Sequence, residues 1–579
     1  MKYSAISYVW RGLGLLPSTE NRWLKIKQDE RGDRINVEVL CHAAAASLHR
    51  GIPHIWMDRL CIMQTNTDDK NWQIRKMFGI YQDCSLCIVL PGGMQRLVRL
   101  DEETTWIHRG WTLQEVLAPP EVHVLFEWRL GSGEARGGEG KLQHVQEVMI
   151  KESAMASMPM ILEACTVGYL SFTSTERNQA KPYMVKAAMF SDIESHSYND
   201  PPFWQPQRKV LAPNIAALTV AMDLEGIFDT TAKNYAIWQS SLMRTSSRPV
   251  DMVFSIMGLF GVTLDTKSFS RNDRLCATMA LASEILRKRE EASWLGVAFR
   301  IAPCRYLSTF AAFPQTSVAG KALVPTKEGG QQVSHLITNE YPYVDALCPM
   351  PHGSMDEHGY LKFEGKAVPI TRLLQKAEGS QTDQAQVAPT RPSVITAVDG
   401  SRWKVRKEND SLEQAVDSGA RPEVTGGAEA FVVLLGWFNE YYPGGTPAHD
   451  ANNIRAMLLQ EHDPEGRCYH LRSYVYLSQR TYSWVKSWKE YPFLVGGPDT
   501  FTECDGTESS SSELVEIVVP EARYPFPSSS RKDVTLRDQV IRKSRWAVDQ
   551  RILENMLQSP PMERLCDYAE SNTPIHYLG

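Results

Sequence analysis

Apolar and polar positions from Met1 to Leu130 alternate between strand-like and helix-like periods. Ser4–Trp10 is rich in β-branched and aromatic residues and stops at Arg11-Gly12, which predicts a strand running into a loop. Val37, Leu40, Cys41, Ala44 and Leu48 then recur at helical spacing, with Asn36 placed to cap and Gly51 and Pro53 placed to stop. His54–Asp58 is a short apolar run ending in an acid, as a buried parallel strand does at the functional end of its sheet. Ile74, Met77, Phe78, Tyr81 and Cys84 give a second helix, for which Thr67 is the expected cap and Asp68 and Asp69 the first-turn acids. Ser85–Leu90 predicts a third strand, Gly110–Ala118 a one- or two-turn helix and Val122–Phe126 a fourth strand. Parallel strands need crossovers of this length, so the order β-α-β-α-β-α-β predicts a parallel sheet covered by helices on both faces.

The glycine-rich stretch Gly131–Gly140 reads as a surface loop or boundary. It separates residues 1–130 from a mostly helical region, 141–330, that includes Val250–Gly261 and Arg274–Glu291. From 331 to 579 a mixed α/β region carries β-like runs (GYLKFEG, SVITAV, FVVLLGWF), flexible insertions at 375–392 and 505–513, and a last helix around 532–557.

Composition narrows the function classes. The chain has 579 residues, 43% of them hydrophobic and 22% charged, which is ordinary globular material. A net charge of −6 argues against a charge-driven partner such as nucleic acid. Apolar runs as short as Ala430–Trp437 predict no membrane span, and the N-terminus lacks the apolar core of a secretory signal. Eleven scattered cysteines fit reduced thiols and a cytoplasmic protein.

The familiar cofactor motifs fail residue by residue. Gly12-Leu13-Gly14 begins like a dinucleotide fingerprint, but Pro17 stands where the third glycine belongs. Gly140-Lys141 is preceded by Ala135 and followed by Leu142, so it is no phosphate loop. Cys84 and Cys87 have metal-ligand spacing without a second pair and read as buried free cysteines. No metal site is expected. Three clusters are richer: Ser7-Tyr8-Val9-Trp10, Trp56 through Gln64, and Arg109 through Glu115. In the last, Trp111 and Glu115 lie four residues apart on one helix face, setting an aromatic plane beside a carboxylate. A surface Glu beside a half-buried Trp would give the same pattern.

In this order the clusters resemble the fungal heterokaryon-incompatibility (HET) domain. Ala5–Trp10 is similar to its opening A-L-S-Y-V-W, Trp56–Gln64 with Ile80-Tyr81 to its W-I-D-A-L-C-I-N-Q and I-Y, and Arg109–Pro119 to its R-G-W-T-L-Q-E-x-L-A-P. The resemblance runs from the start of the chain to about Leu125, and Ser247–Val262 looks like a stretch that often follows the domain. Arg11 and Met63 depart from the usual Gly and Asn.

The resemblance implies a role in fungal non-self recognition and regulated cell death. The HET domain in turn resembles Toll/interleukin-receptor (TIR) domains, which implies a flavodoxin-like sheet of five parallel strands. It also aligns Trp111–Glu115 with TIR's W-C-L-x-E, whose Glu is the carboxylate of NAD hydrolysis in enzymatic members. Glu115 is then the implied catalytic residue, and NAD the implied substrate with no cofactor required. Trp10 or Trp111 would stack on a base, Arg109 pair with a phosphate, and Asp58 orient an arginine or a ribose hydroxyl. Ser7 and Tyr8 would fix the loop or touch substrate. Two molecular readings stay open: an NAD glycohydrolase active on self-association, or a signalling adaptor that self-associates, or meets other signalling proteins, without catalysis.

Overall fold

A computed structural model describes residues 2–497 except 15–22, 25–31, 64, 138–139, 176–181, 191–212, 224–225, 298, 318–319, 327, 338–339, 344–349, 374–389, 407–428 and 441–453. The last expected helix and the 505–513 insertion lie outside the described residues, as does most of 375–392.

The N-terminal pattern gives strands β1 (Ser4–Tyr8), β2 (Ile55–Trp56), β3 (Leu86–Leu90) and β4 (Val122–Glu127), with helices α1 (Val37–His49), α2 (Asp58–Cys61), α3 (Thr67–Gln82) and α4 (Thr112–Leu117) between them. The strands are parallel in the order β2-β1-β3-β4, the start of a flavodoxin-like 2-1-3-4-5 sheet. Every residue of β3 is buried, because Leu86, Ile88 and Leu90 pack with Val39, Ala43 and Ala46 of α1 on one face. Cys87 and Val89 pack with Tyr81 of α3 and Leu113 and Val116 of α4 on the other. Cys84 and Cys87 are buried and free, and no metal-holding cluster occurs among the described residues.

Caps follow the sequence with one displacement. Asn36 accepts from the Glu38 amide at 3.0 Å, as its position before α1 predicts. At α3 the cap is Asn66 rather than Thr67: its side chain accepts from both the Asp68 and Asp69 amides. An Asn acceptor at this position reaches two orphan amides, leaving the threonine inside the first turn.

The expected fifth parallel strand is replaced. Next to β4 lies an antiparallel strand, Ser153–Ser157, and the sheet continues through Gln143–Met149, Gly133–Gly137, Tyr169–Ser174 and Tyr183–Lys186, all antiparallel. The glycine-rich stretch is therefore partly a strand. A Cβ at Gly133 would sit 2.2 Å from the Thr173 carbonyl, and one at Gly137 2.5 Å from the Ala164 amide nitrogen. These glycines permit close packing against the next strand and the helix Met158–Val167, where loop flexibility was the expectation.

Helices follow at Pro213–Met222, Thr230–Leu242, Asp251–Met257 and Arg274–Arg287, but the first part of the region expected to be mostly helical is instead strand, at Gln143–Met149, Ser153–Ser157, Tyr169–Ser174 and Tyr183–Lys186, because these residues extend the N-terminal sheet. In the C-terminal region, Leu361–Arg372, Ala430–Glu440, Ile454–Asp463, Cys468–Leu477 and Lys489–Val495 pair successively, and the first also pairs with the last. They close into a five-stranded barrel. A continuous apolar core runs from the α3/α4 face of the sheet through the helices to one wall of this barrel. No helix among the described residues is long and apolar enough to cross a membrane.

Candidate functional site

The chain passes from β1 through α1 to β2 on one side and then through α3 to β3 on the other, so a crevice opens beyond the carboxyl end of β1. A cleft of about 240 Å³ occupies that place, lined by Tyr8, Trp10, Asp58, Arg109, Trp111 and Glu115 together with residues of α3 and of 246–251. The three sequence clusters, far apart along the chain, converge here.

Glu115 is one of three acids that line the cleft, with Asp58 and Asp251. Its carboxylate oxygen Oε2 accepts a 2.5 Å hydrogen bond from Ser7 Oγ, which in turn accepts from Trp106 Nε1 at 2.9 Å. Ser7 and Trp106 are wholly buried, whereas Glu115 keeps part of its surface open to the cleft. Loss of water around the carboxyl is the largest influence on it and Asp58 adds to the rise, against the opposing pull of the Ser7 hydrogen bond, Arg109 and Arg244; its pKa is pushed up to about 8. At neutral pH Glu115 is therefore held mostly in its protonated form.

Asp58 caps the other end of the cleft. Tyr8 Oη donates to Oδ1 at 2.5 Å, the Arg59 amide to the same oxygen at 2.6 Å, and Trp10 Nε1 to Oδ2 at 2.6 Å. Burial raises its pKa against these donors. Asp58 thus fixes the ring of Trp10, whose backbone continues into a loop pinned at Leu13 by a 3.0 Å bond to the Gly92 carbonyl. The glycine expected after Trp10 is displaced to position 12, and there it is required: a Cβ would fall 1.9 Å from the Gly92 oxygen.

Tyr8 and Ser7 act from β1 as supports: Ser7 grips Glu115 and Tyr8 grips Asp58. Arg109 is enclosed, its pKa lowered by burial and raised in part by Glu115, Asp58 and Asp251. Trp111 donates from Nε1 to Asp251 Oδ2 at 3.4 Å.

Three contributors fall outside the expected set. Arg244 is fully buried, donating to the Arg109 carbonyl at 3.1 Å and Thr112 Oγ1 at 2.8 Å, and its charge faces Glu115. Arg248 and Asp251 line the cleft from the start of the Asp251–Met257 helix. Nothing local marks them as site residues, although the stretch Ser247–Val262 that contains two of them resembles one that accompanies HET domains.

The family model for the heterokaryon incompatibility protein (HET) matches residues 3–98. This chain carries a HET domain. Vegetative incompatibility protein HET-E-1 of Podospora anserina is 23% identical over 160 residues, a stretch that makes up 26% of this chain and 11% of that relative. The chain thus matches only a small part of HET-E-1's length. No solved structure matches the chain. The HET model ends before Arg109, Trp111 and Glu115, yet β4 pairs with β3 in the same sheet and α4 packs on its face, so the fold of the domain extends beyond the matched residues.

Proposed function

We propose that the HET domain binds NAD in the β1/β3 cleft and cleaves its nicotinamide–ribose bond, with Glu115 as the essential carboxylate, and that this reaction serves fungal incompatibility and cell death. The observation that carries the reading is the position of Glu115: an acid in a ligand-sized hollow lined by two indoles and three arginines, aimed by a buried serine. A volume near 240 Å³ suits a nicotinamide riboside moiety more than a whole dinucleotide, so the remaining phosphates and adenosine would extend toward the mouth.

The chemistry balances without a cofactor. The C1′–N bond breaks, and the pair of electrons leaves with nicotinamide, whose ring nitrogen passes from cationic to neutral. Positive charge moves to the ribose as an oxocarbenium ion, and a carboxylate beside it stabilises that charge. Water then adds at C1′ and releases a proton, giving ADP-ribose. The cationic nicotinamide ring is also what ionises Glu115: a positive charge entering a dry site favours the carboxylate and lowers the raised pKa. Self-association would act on this cleft by letting copies complete each other's pockets.

Incubating concentrated or artificially clustered protein with NAD and following nicotinamide release tests the reading. Parent protein releases nicotinamide and Glu115→Gln does not. Equal silence of both under forced clustering overturns it and leaves the adaptor role.

A further inference from the structure

One wall of the cleft comes from residues 246–251, well beyond α4 in the chain, and the segment 244–251 is built into the domain. Gly110 N donates to the Thr245 carbonyl at 2.8 Å and Thr245 N to the His108 carbonyl at 2.7 Å, a short parallel bridge. Arg244 then ties the carbonyl of Arg109 to the start of α4. The two stretches approach so closely that a Cβ at Gly110 would meet Met252 Sδ at 3.0 Å. The backbone that holds Trp111 and Glu115 is thus clamped between the sheet and this segment.

We propose that Arg248 and Asp251 complete the site, Arg248 contacting the pyrophosphate of a dinucleotide and Asp251 acting as a positioning residue that holds the Trp111 indole. This rests on the nucleotide reading above and adds to it a phosphate subsite contributed from outside the HET-matched residues. The supporting feature is the charge of the lining. Arg11, Lys70, Arg109 and Arg248 face three carboxyls, those of Asp58, Glu115 and Asp251, so the lining carries one net positive charge when all are ionised. With Glu115 holding its proton the net is two, matching the two negative charges of a pyrophosphate diester. Guanidinium groups are suited to phosphate oxygens because they donate two parallel hydrogen bonds. Asp251 is turned inward: burial raises its pKa, partly offset by Arg248, Trp111 and Lys70, so its neighbours are the cleft's own groups.

The test is calorimetric titration of the full chain with ADP-ribose, which carries the pyrophosphate and needs no catalysis to bind. Parent protein binds it, Arg248→Gln binds at least about tenfold more weakly, and Arg248→Lys recovers part of the loss. Asp251→Ala weakens binding, and Asp251→Asn, which keeps an acceptor for the Trp111 N–H, restores it. Unchanged affinity in Arg248→Gln, or no binding by the parent, overturns the proposal. Arg248-dependent binding without nicotinamide release would sustain this subsite while refuting hydrolysis. Nicotinamide release by a parent whose ADP-ribose affinity ignores Arg248 would do the reverse.

Discussion

Replacing Glu115 by Gln should stabilise the protein, and by an amount set by pH. In the folded state the carboxyl holds its proton up to about pH 8, whereas its ordinary value is 4.5. An acid whose pKa is raised by folding favours the native state fully below its unfolded pKa. That advantage is lost as pH climbs toward the folded pKa and levels off beyond it. From the two pKa values, the parent gives up about 1 kcal/mol by pH 5, about 3 kcal/mol by pH 7 and about 5 kcal/mol by pH 9. Glutamine has no proton to lose, keeps an oxygen to accept from Ser7, and has nearly the same volume. The gap in unfolding temperature between variant and parent, followed by scanning fluorimetry, should therefore widen roughly fivefold from pH 5 to pH 9. Parallel curves with a constant gap would mean that Glu115 is ordinarily hydrated, and the description of the cleft would be refuted.

In turnover, kcat/KM for NAD should rise with pH through about 8, since the free enzyme must ionise Glu115, and the limb should vanish in any residual activity of Glu115→Gln. Ser7→Ala removes the donor to Glu115 and the acceptor for Trp106 Nε1, so it should cost about 1–3 kcal/mol in chemical denaturation. The same variant should move the pH limb upward, because the bond it deletes favours the ionised carboxyl. Tyr8→Phe withdraws a donor from buried Asp58 and should cost about 1–3 kcal/mol, read the same way. Gly12→Ala drives a Cβ into the Gly92 carbonyl and should shift the Trp10 loop, visible as altered tryptophan fluorescence and weaker ADP-ribose binding.

The parallel half of the sheet was legible because each of its strands is covered on both faces and reads as an apolar run, with caps and breakers between. The antiparallel half was not, and Gly133–Gly137 shows why. Its sequence, GEARG, has the composition of a loop, and its glycines answer to neighbours distant in the chain, the strand Tyr169–Ser174 and the helix Met158–Val167. Composition reports a lack of side chain without saying whether water or packed backbone fills the space. The site divides in the same way. Ser7, Trp10, Asp58, Trp111 and Glu115 lie at strand ends or on a helix opening, positions that an α/β order points to. Arg248 and Asp251 reach the cleft, and Arg244 the start of α4, only through tertiary docking, and no spacing rule connects residue 251 to residue 111.

The family match stops at residue 98, soon after the strand Leu86–Leu90, which is apolar throughout and hydrogen-bonded on its far side to Val122–Glu127. A fragment trimmed to that boundary would present a naked, sticky sheet margin, ready to recruit any extended chain it met. The stretch that the family model recognises is thus shorter than the sheet to which it belongs, and expression fragments should run through the antiparallel strands and the docked 244–251 segment.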